Sequence, residues 1–253
     1  MLQDLPVWLA HFRSQAAHPR QVPTTLDDTL TARERRLIAS SIAGFQLGEG
    51  SDGRCLLTAV RRQCADDERH PLVEIFGLFV AEQQRHARLL GEFMQDHDIA
   101  EIGGGVTHRI FRLLRRCGGL AARLRLLITA ELVGIVYYRA LEVVTDCRRL
   151  QILCRTLVAD ELVHVAFESQ LLRVLRSQRP VAGRLLGAWE QCLLTGAALT
   201  VWFTHRRVLR SAGYGAVLFI RDCRSQYSFY LKWPPAPRRP RSRPAQPLSP
   251  HGT

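Results

Sequence analysis

Long stretches of this chain repeat apolar residues at helical spacing, and inside those stretches a few acids and histidines fall where a side chain should be buried. That combination restricts the fold. An ionised group in an apolar interior is costly unless something of opposite charge meets it, so the helices have to assemble in a way that brings these residues together. Segments with the alternating pattern of a strand are few, and the chain reads as all-α.

The helices can be placed from their punctuation. Thr31 and Glu34 form a Thr-x-x-Glu capping box that opens a first long helix, expected to run to about Gln63. Pro71 suits a first helical turn and starts a second, which carries Leu72, Ile75, Phe76, Phe79 and Val80 to about Asp96. Gly103 to Gly105 break the chain, a short basic helix is expected from Thr107 to Arg116, and Gly118 and Gly119 precede a third long helix from Leu120 to Val144. A fourth spans Asp146 to Ser177, a fifth runs from Pro180 to Arg210 ahead of Gly213, and a sixth covers Ala216 to Tyr230. Four long helices with a longer crossover between the second and third predict a bundle. The expected division is an N-terminal segment 1–30, a four-helix bundle 31–177, accessory helices 178–231 that cap it, and a disordered basic tail 232–253. The tail holds seven of the twelve prolines and five basic residues, with no acid.

The net charge of +12 rests almost entirely on arginine, Lys232 being the only lysine. No nucleic-acid-binding signature accompanies it, and solvated helix faces account for the arginines better than nucleic acid does. The longest uncharged run, Gln191 to Thr204, falls short of the ~20 residues that span a bilayer, and no signal peptide is visible, so neither nucleic acid nor membrane is an expected partner. Seven cysteines without a Cys-x-x-Cys pair read as reduced, mostly core residues of a cytoplasmic protein. Phosphate-loop and Ser/His/Asp patterns are missing, which disfavours nucleotide-dependent and hydrolytic chemistry.

The chemically informative segment is Asp160-Glu161-Leu162-Val163-His164. Glu161 and His164, three apart, share a helix face and can hold one metal ion between them. The second helix offers Glu82-Gln83-Gln84-Arg85-His86 in equally apolar surroundings, and each remaining long helix offers one acid, Glu49 and Glu131. The spacing repeats: Glu49 precedes His86 by 37 residues and Glu131 precedes His164 by 33. Two helix pairs arranged in this way point acids and imidazoles into one bundle interior.

On these residues, over about 31–177, the chain resembles the ferritin-like, carboxylate-bridged di-iron superfamily, which includes bacterial multicomponent monooxygenases, acyl-carrier-protein desaturases, ribonucleotide reductase small subunits and N-oxygenases. The resemblance implies a non-haem centre of two irons, or manganese in their place, with Glu49, His86, Glu131, Glu161 and His164 as ligands. It implies an O2-dependent oxidase or oxygenase of a small organic substrate, served by an electron-donor protein and compatible with a homodimer.

One position departs from the family pattern, because Gln83 stands where a ligand glutamate belongs. Glu82 then either corresponds to Asp160, as an acid supporting a histidine from outside the metal shell, or turns inward and serves as the ligand itself. With Gln83 as a neutral amide the site is weakened on one side, which keeps open a non-catalytic metal-binding or interaction scaffold. Arg85 is expected to pair with Asp160. Tyr138, two turns from Glu131, is a candidate redox or hydrogen-bonding neighbour. Glu168, two turns beyond Glu161 on the same face, is either an outer carboxylate or proton relay or, as expected, at a solvated bundle end; Cys154 is expected in packing, and His11, His18, His70, His97, His108, His205 and His251 without a role. Glycines 48, 50 and 53 leave space around Glu49 or else break the helix there.

Overall fold

The computed structural model describes residues 4–23, 29–51, 53–104, 118–177 and 183–232. The expected basic helix 107–116, the start of the fifth helix at Pro180 and nearly all of the basic tail lie outside them. The described residues are helical without strands: α1 Leu5–Ala17, α2 Ala32–Glu49, α3 Arg54–Gln63, α4 Pro71–Asp96, α5 Leu120–Val143, α6 Arg148–Ser177, α7 Gly183–Ser211 and α8 Ala216–Lys232. The longest packing seam joins α5 to α6, while α1 and α2 lie on α4, α7 on α5, and α8 on α7. Among the described residues no helix is long and apolar enough to cross a membrane.

The start signals act as read. Thr31 Oγ1 accepts from the Glu34 backbone N–H, and Glu34 accepts in return from the Thr31 N–H and hydroxyl at 2.9 and 2.6 Å. The same carboxylate accepts from Asp146 N at 2.7 Å and Thr145 Oγ1 at 3.1 Å, which fastens the start of α2 to the α5–α6 turn. Burial pushes the Glu34 carboxyl up, but these hydrogen bonds outweigh it and hold the group at about 2. His70 Nδ1 accepts from Leu72 N at 3.2 Å and caps α4 just ahead of Pro71.

The first long helix does not continue to Gln63. It stops at Glu49, and a turn through Gly53 restarts the chain as α3. Gly53 has φ +65, and a Cβ there would lie 2.5 Å from Val80 Cγ2, so both the left-handed backbone and the close approach of α4 require glycine.

The N-terminal residues form a helix that the reading of the sequence omitted, although Leu5, Trp8, Leu9 and Phe12 carry its period. Leu5, Trp8 and Phe12 are buried, and Trp8 Nε1 donates to Gln170 Oε1 at 3.0 Å. On the other side of the molecule Glu190 of α7 ties four helices together. It accepts from Arg125 Nε of α5 at 2.5 Å, from Arg176 of α6 and from the Tyr227 hydroxyl of α8. His205, which the sequence left without a role, sits at a kink in α7 with φ −110 and ψ 18, and its Nδ1 lies 2.8 Å from Ser41 Oγ. Burial lowers it to about 4, so the ring is neutral. None of the described cysteines forms a disulfide; Cys147, Cys154 and Cys223 are buried and Cys64 packs against the core, whereas Cys55 and Cys192 are exposed.

Substituting Gly53→Ala imposes a positive φ on an L-residue and drives its methyl into Val80. A loss of about 2–4 kcal/mol in unfolding free energy is expected by urea titration. A loss below about 0.5 kcal/mol would refute the assignment.

Candidate metal centre

Four helices converge on one buried cluster. Glu49 comes from the last turn of α2, Gln83 and His86 from the middle of α4, Glu131 from α5, and Glu161 and His164 from α6. Glu161 is the shared member. Its Oε1 lies 3.1 Å from His86 Nδ1 and its Oε2 lies 3.3 Å from His164 Nδ1. Glu49, His86 and Glu161 each offer an atom within 4.8 Å of the others, and Glu131, Glu161 and His164 do the same, giving two metal-sized groups joined through one carboxylate. Glu49 is half-buried as a residue, but its carboxyl end turns inward and accepts from the Tyr138 hydroxyl at 2.8 Å.

The outer nitrogens of the two histidines are held in a crossed pattern. Asp160 of α6 meets His86 Nε2 of α4 at 3.1 Å, and Glu82 of α4 meets His164 Nε2 of α6 at 2.9 Å. A carboxylate on Nε2 places the ring proton there when the imidazole is neutral, and leaves the Nδ1 lone pair facing the cluster, as a metal ligand requires. Of the two positions open to Glu82, the structure places it outside, on His164.

A third candidate group, Glu82, His86 and Asp160, is less suited to an ion because its charges are already met. Asp160 receives Arg85 at 2.6 Å, Arg20, and Gln15 Nε2 at 3.3 Å. The Arg85 pairing follows the sequence reading. Arg20 and Gln15 were not anticipated, because they reach Asp160 from the N-terminal arm and share no helical register with it. Phe12 of that arm lies parallel to the His164 ring at 6.0 Å, and Phe79 flanks it at 4.5 Å, which keeps water from that side.

Gln83 projects into the group it was expected to weaken. Its Nε2 lies 3.4 Å from Glu131 Oε1, 3.3 Å from each Glu161 oxygen and 3.4 Å from His164 Nδ1. These are long contacts, and the amide spreads its donors over two carboxylates. Glu131 Oε2 has no hydrogen-bond partner. Glu168, expected in solvent, is instead fully buried beside this group.

The protonation pattern is that of a cation site. Burial pushes Glu161 up, but hydrogen bonds from His164 and His86 overcome it and hold the carboxyl at about 2. For His86 burial works downward and the Asp160 and Glu161 carboxylates work upward, leaving the ring at about 9; His164 is likewise raised. Burial and the Glu161 charge raise Glu49 to about 7, and burial with Glu168 and Glu161 nearby raises Glu131. Carboxylate oxygens and imidazole nitrogens in this proportion suit iron, manganese or zinc, and the orphaned oxygen of Glu131 leaves a bond for an ion to make.

The signs fix how the metal-free chain responds to pH. His86 and Glu49 have folded-state values above those of an unfolded chain. Their stabilisation is complete below the unfolded values and is lost as pH rises through about 9 and about 7. Chelator-treated protein is therefore expected to lose thermal stability steadily from about pH 5 to about pH 9, with divalent metal restoring most at the alkaline end. A Tm that rises across this interval would contradict these charge states.

No protein-family model, curated protein or solved structure matches this chain.

Proposed function

We propose that the chain is a ferritin-like bundle that holds two iron ions among α2, α4, α5 and α6 and uses O2 to oxidise a small organic substrate. The observation that carries this reading is the crossed support of the histidines, Asp160 on His86 and Glu82 on His164, with both Nδ1 atoms turned to the shared Glu161. A surface cluster of acids would not need two separately oriented imidazoles.

Iron held there would supply one-electron chemistry with O2, and the same donors suit manganese. Glu49, His86 and Glu161 would hold one ion, and Glu131, Glu161 and His164 the other. Tyr138 donates to Glu49 and is placed to orient that carboxylate and to act as its redox or proton-donating neighbour. Phe12 and Phe79 keep the His164 side dry, which strengthens each electrostatic interaction inside. Electrons beyond those of the substrate would come from a donor protein.

A second reading, a ferritin-like scaffold without catalysis, draws on Gln83. Its amide already donates to Glu131 and Glu161, and so partly answers the negative charge that an ion would otherwise neutralise.

Metal analysis of protein produced with iron supplied separates the two. About two irons per chain, lost in both Glu161→Ala and His164→Ala variants that keep their helical circular dichroism, are expected of the oxidase. A metal-free chain whose Tm is indifferent to both substitutions would leave the scaffold.

A further inference from the structure

The acids of this molecule that lie near arginines are neutralised by them, and one fully buried acid is not. Asp160 has Arg20 and Arg85, and Glu190 has Arg125 and Arg176. Glu168 of α6 has 0% exposure, and among the described residues no N–H or hydroxyl donor reaches its carboxylate oxygens; its one partner is the Glu131 carboxyl, through a shared proton. It follows His164 by one helical turn and Glu161 by two, so all three share the face of α6 that meets α5. There it stands beside Glu131, whose Oε2 is likewise reached by no N–H or hydroxyl donor. Two neighbouring buried carboxyls that meet no arginine can only share a proton between them, and a cation in its place would satisfy both.

The charges support the same assignment. In the outer layer Glu82 and Asp160 are balanced by Arg20 and Arg85. Toward two divalent ions the inner layer would offer the carboxylates of Glu49, Glu131 and Glu161, and Gln83 is neutral where a fourth is needed to match their charge. Glu168 provides it.

We propose that Glu168 is a metal ligand, supplying from the turn after His164 the anionic oxygen that position 83 lacks and pairing with Glu131 around the ion on the His164 side of Glu161. This rests on the reading of the cluster as a two-metal centre. Glu168 would join Glu131, Glu161 and His164 in holding that ion.

Calorimetric titration of the metal-free full chain with Co2+, paired with thermal unfolding, tests the assignment. The natural chain is expected to take up two equivalents. Glu168→Gln and the apolar Glu168→Met should each keep the first and lose the second, or bind it at least about tenfold more weakly. The double variant Gln83→Glu with Glu168→Gln should recover the second equivalent, because the carboxylate has been moved rather than removed. Without metal, both single variants should melt at or above the temperature of the natural chain, since each removes a buried carboxyl that no arginine or amide donor meets; a purely structural glutamate would lower it. If either folded single variant binds two equivalents with unchanged affinity, Glu168 is no ligand and a proton held between the two carboxyls accounts for it. If the natural chain itself binds no Co2+, the two-metal reading fails, and this assignment with it.

Discussion

Removing a charge from water is the cost that organises this molecule, and the different ways its acids meet that cost divide it into parts. Glu34 is answered by backbone and hydroxyl donors and becomes a fastening between α2 and the α5–α6 turn. Glu190 is answered by two arginines and a tyrosine and draws α5 to α8 into one unit. Asp160 is answered by the arginine before His86 and by the arm that follows α1. Breaking a buried pair of this kind typically costs about 3–5 kcal/mol, so such residues fix the relative placement of helices whose apolar faces alone would allow sliding. Among the described residues, only around Glu161 do acids gather with imidazoles and a neutral amide and no arginine, and there the fold leaves a demand that protons or metal must meet.

How far the site was legible in the sequence follows the range of each interaction. Glu-x-x-His, the Thr31 box and Pro71 are contained within a turn or two of helix, so their spacing shows which side chains share a face and where a helix begins. Arg85 with Asp160 was accessible through the family resemblance. The N-terminal arm was not. Leu5, Trp8 and Phe12 declare an amphipathic helix, but nothing in their spacing tells that it lies on α4 or that Arg20 ends on Asp160, 140 residues away. Glu168 was misplaced for a related reason. Two turns past Glu161 looks like the end of a bundle from the helical repeat, whereas α6 stays buried on that face as far as Leu172.

Gln83 illustrates how a single position can serve two states of one site. An amide nitrogen placed among Glu131, Glu161 and His164 offers partial positive charge to the carboxylates when no ion is there. Its oxygen offers a neutral ligand when one is. A glutamate at this position would bind metal more strongly but would add one more anion to a core already crowded with them. The substitution therefore trades affinity for a protein that tolerates being metal-free.

The link between Arg20 and Asp160 also has a bearing on when the centre comes into being. Asp160 orients His86, and Arg20 and Gln15 complete the environment of Asp160. The final setting of an α4 histidine thus waits on a contact between the beginning of the chain and a helix synthesised far later. Contacts of such sequence separation close late, after local helices have formed and collapsed. An emerging chain consequently passes its Glu49 and His86 half through synthesis with the histidine unanchored. The cluster takes its described geometry only once the bundle is shut.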